Sequence, residues 1–364
     1  MDNRKATLYR NEAVRMVLEK MMSLAFDACI VTDLFVIRWL TGFSGSSAKL
    51  IVTKEKRWLF TDFRYLEQAT HEVDMAETVL TSEGFETELL SGRYPLGKIV
   101  ALQSDHVTWY EATMLIEKLN GRYRVIPVKS FFDEFRMIKN EIELMKMHRA
   151  AEVSEAVFNT VLPLISQSVT EIDIAAEISY QHKKLGAEKD SFEPIVASGI
   201  RSAMPHARPS KLQFKPGDLI VIDMGCVYEG YASDQTRTVA LGHVSEEARN
   251  VYRIVFEAQE LGLVSAKCGM TGKKLDGIVR SYITAHGYAD AFGHGLGHGV
   301  GLEVHEEPRI SPKGELVLQE NMVFTIEPGI YLPGKFGVRI EDTVVLGQNG
   351  AIPLQRSSKE LIEL

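Results

Sequence analysis

The chain has 364 residues, 41 basic and 49 acidic side chains for a net charge of −8, and 45% hydrophobic residues. That length exceeds one ordinary core and predicts two domains, and the composition is that of a folded protein rather than a disordered one. An acidic balance with no Lys/Arg-rich run argues against nucleic acid as the main ligand.

The start, "MDNRKATLYRNEAVRMVLEK", is charged and lacks the apolar core of a secretory signal. No apolar run approaches the roughly 20 residues of a bilayer span, so no membrane partner is expected. Cys29, Cys226 and Cys268 match neither a disulfide framework nor a zinc-thiolate spacing, and a reducing cytoplasm is the predicted setting.

In chain order, residues 10–25 carry apolar side chains at helical spacing, and "ACIVTD", "AKLIVT" and "RWLFTD" read as short strands between turns. "KIVALQ", a helical "WYEATMLIEKL" and "YRVIPV" follow, so the first third is predicted to be an α/β unit with parallel pairing. A long helix is predicted from about Glu134 through "RMIKNEIELMKMHRAAEVSEAVFNTVLPLI". The boundary is placed just before it, giving a smaller α/β domain over 1–130 and a second domain over 131–364. In the latter, helices are predicted at about 170–185, 245–267 and 272–286, with two strands over about 217–242 and mostly strands to the end. Helices segregated from antiparallel strands predict an α+β architecture.

Three familiar patterns fail. "GFSGSSAK" lacks P-loop spacing, and the glycines of "AFGHGLGHGVG" never meet G-x-G-x-x-G in register. "HEEPR" begins like the zinc-binding H-E-x-x-H, but it ends on Arg309 and Pro308 would break the required helix.

The stretch "LIVIDMGCVYEGYASDQTRTVAL" reads as strand, turn at "EG", strand. If Glu229 and Gly230 form a two-residue turn, Gly225 pairs with Asp234, and Asp223 joins Asp234 on one face as its diagonal neighbour. A three-residue loop would separate the two acids onto opposite faces. In "NMVFTIEPGIYLPGKFGVRIEDTVVL", Glu327 and Glu341 flank a turn centred near Gly334, and Pro328 suggests a bulge or strand edge.

For any single acid, a solvated surface position is the ordinary outcome. Asp223, however, ends "LIVID" and Glu327 follows "MVFTI", runs typical of buried strands, and buried acids need cations or must neutralise. Two divalent ions would balance four carboxylates. Nitrogen ligands are supplied by "AFGHGLGHGVGLEVHEEPR": in an extended chain His294 and His298 share a face, while glycines leave the other face bare for close backbone approach. His305 has the opposite parity and joins them only if the strand ends or twists first. Cys226, three residues from Asp223, should face away and is assigned to packing.

Asp223, Asp234 eleven residues later, His298 in "GHGVGLEVHEEP", Glu327 in "TIEPGIY" and Glu341 in "VRIEDT" resemble the five metal ligands of the pita-bread metallopeptidases, family M24. The resemblance covers roughly residues 135–364. "IRWLTGFSGSSA" and "TDFRYLEQA" resemble the creatinase-type N-terminal domain of the Xaa-Pro branch, which includes prolidase and aminopeptidase P. His294 and His206, the latter in "MPHARPS", match further histidines of that branch.

The resemblance implies two divalent ions, Mn2+ first with Co2+ or Zn2+ as alternatives, one held by Asp223, the other by His298 and Glu327, with Asp234 and Glu341 bridging. It implies Glu327 as general base, His206 and His305 as donors to the scissile carbonyl oxygen, and His294 on the proline side. Arg339 is placed to orient Glu341 or relay protons. Arg309, four residues after His305, resembles a clamp for a dipeptide's free carboxylate. A surface arginine after a turn proline is an equal alternative.

The expected activity is hydrolysis of the bond before a proline at the second position of short peptides. Xaa-Pro dipeptidase is placed slightly ahead of aminopeptidase P. The first domain is expected to mediate homodimerisation and to cap the site. The rival class is a metal-free pita-bread protein, with other chemistry as in creatinase or as a binding module. Such proteins usually lose several of the five positions, and here all five are present.

Overall fold

The computed structural model describes the backbone of residues 3–364 and the side chains from Ala6 onward. It divides into two compact units, Met1–Arg136 and Met137–Leu364. Among the described residues no helix is long and apolar enough to cross a membrane.

The first unit contains β1 (Ala28–Val31), β2 (Lys49–Thr53), β3 (Arg57–Thr61), β4 (Glu77–Leu80), β5 (Ile99–Gln103) and β6 (Arg124–Val128), in the sheet order β4-β3-β2-β1-β5-β6. Its helices are α1 (Asn3–Ser23), α2 (Leu34–Thr41), α3 (Leu66–Glu72), α4 (Phe85–Leu90), α5 (Trp109–Leu119) and the single turn α6 (Asp133–Arg136). The expected parallel pairing holds for β3–β4, β1–β5 and β5–β6, but β1–β2 and β2–β3 are antiparallel. Only three residues join β2 to β3, too few for the crossover that parallel strands require. Ile30, Ile51, Phe60, Val100 and Leu102 form the core with Leu115 and Leu119 of α5.

The long helix expected from Glu134 is interrupted at residues 137–140. There Ile138 bridges to Met322 and Lys139 N–H donates to Asn321 O at 2.9 Å. Helix α7 (Glu141–Val161) restarts at Asn140, whose side chain accepts from the backbone of Ile142 and Glu143 while Glu143 reaches back to Asn140 N–H, a reciprocal capping box.

In the second unit, α8 (Glu171–Lys184), α9 (Glu246–Ser265) and α10 (Gly272–Ala285) follow α7. One ribbon is built from β7 (Lys189–Asp190), β8 (Ile195–Ser198), β9 (Leu219–Met224), β10 (Cys226–Tyr228), β11 (Tyr231–Ala232) and β12 (Gln235–Ala240). The other comprises β13 (Gly297–Gly299), β14 (Glu306–Ile310), β15 (Val323–Ile326), β16 (Gly329–Leu332), β17 (Phe336–Arg339), β18 (Asp342–Gly347) and β19 (Gly350–Pro353).

Alternation along each ribbon assigns its faces. Ile220, Ile222 and Met224 of β9 pack on Val157, Phe158, Ile174 and Ile178 of α7 and α8. Phe324 and Ile326 of β15 share a core with Val251 and Val255 of α9 and Val279 and Ile283 of α10. The intervening residues, Asp223 among them and Glu327 just beyond β15, belong to the opposite faces.

Candidate active site

The first hairpin has the register that a two-residue turn requires: Tyr228 faces Tyr231 and Thr236 faces Asp223. Glu229 and Gly230 both have positive φ, 45° and 88°, which gives a hairpin turn whose twist matches the strands. In the second ribbon Ile326 faces Asp342 and Gly329 faces Arg339, so the unbroken register sets Glu327 opposite Glu341. Asp223 lies within paired β9, but strand pairing is interrupted at the other three acids. Asp234 lies between β11 and β12, Glu327 between β15 and β16, and Glu341 between β17 and β18. Pro328, which has no N–H to donate, occupies one of these breaks.

Cross-ribbon hydrogen bonds bring the two acid pairs together. Glu341 N–H donates to Thr236 O at 3.1 Å, Thr343 Oγ1 to Asp234 O at 2.9 Å, and Thr238 Oγ1 to Arg339 O at 2.8 Å. Thr236 Oγ1 also donates to Glu341 Oε2 at 2.6 Å.

His298 enters from β13. Its Nε2 lies 3.4 Å from Glu327 Oε1 and 3.6 Å from Asp234 Oδ2, and one ligand atom each of Asp234, His298 and Glu341 falls within 4.8 Å of the others. Nδ1 is 3.1 Å from Gly299 O and must carry the proton there, which leaves the Nε2 lone pair toward the carboxylates. Close approach depends on bare glycine: a Cβ at Gly297 would stand 1.9 Å from Thr325 O, and one at Gly299 2.2 Å from Glu307 O. β13 ends at Gly299 and the chain bends before His305, whose ring comes 4.2 Å from that of His298.

The electrostatics are those of an uncompensated cluster. Burial, then the charges of Glu341, Asp223 and Glu327, raises Asp234 well above the usual carboxylate range; burial, then Glu327 and Asp223, does the same to Glu341. Burial, with Asp223 adding to it against the pull of Arg339, raises Glu327 to about 8. Burial, with His305 contributing, lowers His298 to about 3, so it is a neutral imidazole. Asp223 Oδ1 is buried with no hydrogen-bond partner. Crowded oxygens, a free imidazole nitrogen and an orphaned carboxylate oxygen form a donor set that fits a pair of divalent cations.

Arg339 pairs with Asp223 rather than with Glu341, the partner expected from spacing: Nη2 donates to Asp223 Oδ2 at 2.5 Å. It touches Glu341 only through Thr236, to whose Oγ1 its Nε donates at 3.1 Å. Nη1 donates to Tyr331 OH at 2.8 Å and to Pro205 O at 3.2 Å. Tyr331, missed in the sequence, carries the chain onward. His294 Nδ1 donates to Gly295 O at 2.8 Å, so its Nε2 accepts from Tyr331 OH at 3.0 Å. Burial lowers His294 to about 4, in keeping with a neutral ring.

His206 sits on a loop that, with Arg201, Met204, Pro205 and Arg208, lines a cavity of about 680 Å³. Glu171, fully buried, fastens that loop at both ends. Its carboxylate accepts from the backbone and hydroxyl of Ser198, from Arg201 Nε, and from the backbone and hydroxyl of Ser210. Arg309 is not drawn into the cluster; its side chain is 68% exposed and meets its neighbour Glu307 at 3.4 Å. Cys226 is buried against Ala150, Val153 and Ala187.

Residues 145–348 match the model of metallopeptidase family M24, and residues 14–138 match the creatinase/prolidase N-terminal domain. The chain is 37% identical, over 96% of its length and all of the relative's, to an uncharacterised peptidase of Bacillus subtilis. Among solved structures, a Xaa-Pro dipeptidase from Bacillus anthracis superposes with a TM-score of 0.93 at 35% identity, over 98% of this chain and 100% of that one. An X-Pro aminopeptidase from Thermotoga maritima gives a TM-score of 0.87 at 38% identity, over 95% and 100%. Broken ribbons that converge on one imidazole and four acids, in a chain that also carries an N-terminal α/β domain, therefore have their explanation in descent: the chain belongs to metallopeptidase family M24.

Proposed function

We propose that the enzyme hydrolyses the bond before a proline at the second position of short peptides, with Xaa-Pro dipeptides slightly favoured over longer ones. The observation that carries this reading is the convergence of Asp234, His298 and Glu341 beside Glu327 and the half-unpaired Asp223. Relatives named for Xaa-Pro dipeptidase and X-Pro aminopeptidase activity support the substrate class.

In this reading Asp223 would hold one divalent ion and His298 with Glu327 the other, and Asp234 and Glu341 would serve both. Mn2+ is favoured over Co2+ or Zn2+. Bound ions supply carbonyl polarisation and water activation. Glu327 takes the water proton at its carboxylate and returns it to the leaving nitrogen. His206 and His305 donate hydrogen bonds to the carbonyl oxygen as charge develops there. His294, held by Tyr331, shapes the proline side, and Arg339 fixes Asp223. A peptide nitrogen of proline has no N–H and its ring fixes φ near −65°, so a site that acts on carbonyl and water loses nothing at this bond. The same reading includes a homodimer, by way of the N-terminal domain, in a reducing cytoplasm.

The longer-peptide alternative gains from one observation: Arg309 faces solvent beside Glu307 instead of closing on the cluster. Turnover of Ala-Pro, Ala-Pro-Ala and Ala-Ala with Mn2+, Co2+ and Zn2+ tests the proposal. Ala-Pro should be cleaved fastest, and Arg309→Ala should weaken Ala-Pro selectively. Equal turnover of Ala-Pro and Ala-Ala overturns the proline assignment.

A further inference from the structure

The glycine-rich segment that carries His294 and His298 needs an external support, because glycine surrenders more backbone freedom on folding than any other residue. Helix α10 provides one. Asp276 and Arg280 are one helical turn apart and form a bidentate ion pair, with Nε to Oδ2 and Nη2 to Oδ1 both at 2.8 Å. The same two side chains grip alternate residues of the segment. Arg280 donates to Phe292 O at 2.9 Å and to His294 O at 2.6 Å, and Leu296 N–H donates to Asp276 Oδ1 at 3.0 Å. Leu296 O in turn accepts from Glu327 N–H at 2.8 Å. The guanidinium also stacks 4.3 Å from the centre of the Phe292 ring, which meets the His294 ring edge-on at 5.1 Å.

We propose that Asp276 and Arg280 are positioning residues for the site. The pair sets the roll of the extended backbone at His294, and through the backbone of Leu296, whose N–H and C=O lie in adjacent peptide units, it sets the placement of Glu327. Anchoring alone does not require it, because the side chains of Phe292 and Leu296 are already buried in the core of α9 and α10. What the pair adds is direction: three backbone groups at alternate residues are fixed from a rigid helix instead of from a neighbouring strand. The inference rests on the two-metal reading of the cluster.

The test uses full-length Arg280→Lys, Arg280→Met and Asp276→Asn. Chelated protein is titrated with Mn2+ by calorimetry, the melting temperature of the metal-free form is recorded, and kcat and KM are measured on Ala-Pro. Lys retains a charge beside Asp276 but cannot span two carbonyls. Arg280→Lys should therefore melt within a few degrees of wild type, yet lose about 10–100-fold in Mn2+ affinity or in kcat, with KM moving much less. Arg280→Met should lose more, and Asp276→Asn should fall between. Unchanged Mn2+ affinity and unchanged kcat in Arg280→Lys overturns the proposal, and that variant decides the matter if Arg280→Met fails to fold. If wild-type protein leaves Ala-Pro intact, the substrate reading fails, while the Mn2+ isotherms still judge the positioning role.

Discussion

Arg339 donates to Asp223 in a charge-assisted hydrogen bond 2.5 Å long between groups only 3% and 8% exposed. Removing one member of a buried pair leaves the other charge stranded, at a cost of about 3–5 kcal/mol. Arg339→Met should therefore destabilise metal-free protein by about that amount. The penalty should shrink when divalent ions are present to compensate Asp223. Denaturant unfolding of chelated and Mn2+-loaded protein measures both, and an equal penalty in the two forms refutes the coupling. Arg339→Lys should recover only part of the loss, because an ammonium cannot serve Asp223, Thr236, Tyr331 and Pro205 together.

Tyr331→Phe keeps the ring and deletes the hydroxyl that joins Arg339 to His294. Stability should fall by only about 0.5–1.5 kcal/mol, the usual net value of a hydrogen bond. kcat on Ala-Pro should fall at least about tenfold, as a mispositioned active-site group commonly costs. Steady-state kinetics alongside a melting curve separates the two, and full activity in Tyr331→Phe would remove the tyrosine from the mechanism.

Chelation should lower the melting temperature and abolish turnover, and divalent ions should restore both. At a hundredfold excess of free metal over its dissociation constant, the native state gains about 2.7 kcal/mol per site. A melting temperature that ignores both chelator and metal would contradict the assignment of the carboxylate cluster.

Away from the site, burial raises the pKa of Glu143 above 4.5, although the backbone of Asn140 and the hydroxyl of Tyr231 hold its carboxylate in place. The native state thus keeps a proton that the unfolded chain releases. The side chain's contribution is fully present below about pH 4.5 and is lost as pH rises through the elevated native value. Glu143→Gln keeps the shape without the titration, so its stability relative to wild type should improve from pH 4.5 upward. Paired melting curves across that range check the sign; a Glu143→Gln stability that falls relative to wild type as pH rises would contradict it.

The hairpin acids were legible because alternation with a two-residue "EG" turn sets Asp223 and Asp234 on one face, and the hairpin adopts that register. The break before α7 was not, although "NEIE" spells its capping box: helical periodicity runs on through residues 137–140 and hides the restart. Strand direction in the first unit depends on which strands become neighbours, a property that local pattern does not contain. Tyr331 sits in an ordinary apolar strand, and only tertiary structure shows what its hydroxyl meets. Asp276 and Arg280 look like a solvated helix pair until the segment they hold is folded against them. For Arg309 local sequence left a carboxylate clamp and a surface side chain equally open, because the direction of a side chain after a turn proline is set by tertiary packing; the structure leaves it exposed beside Glu307.

The crowding around the histidine segment also limits what protein engineers could do to toughen this enzyme against heat. Swapping glycine for alanine is a standard route to thermostability, but at Gly297, Gly299 and Gly301 the added methyl would collide with neighbouring atoms at 1.9–2.4 Å, and at Gly295 with Ser311 Cβ at 2.9 Å. Gly293 alone of the five has open space around it and no positive φ, so within this segment Gly293→Ala is the one exchange that should raise the melting point, by the equivalent of about 0.4–1 kcal/mol, while sparing turnover.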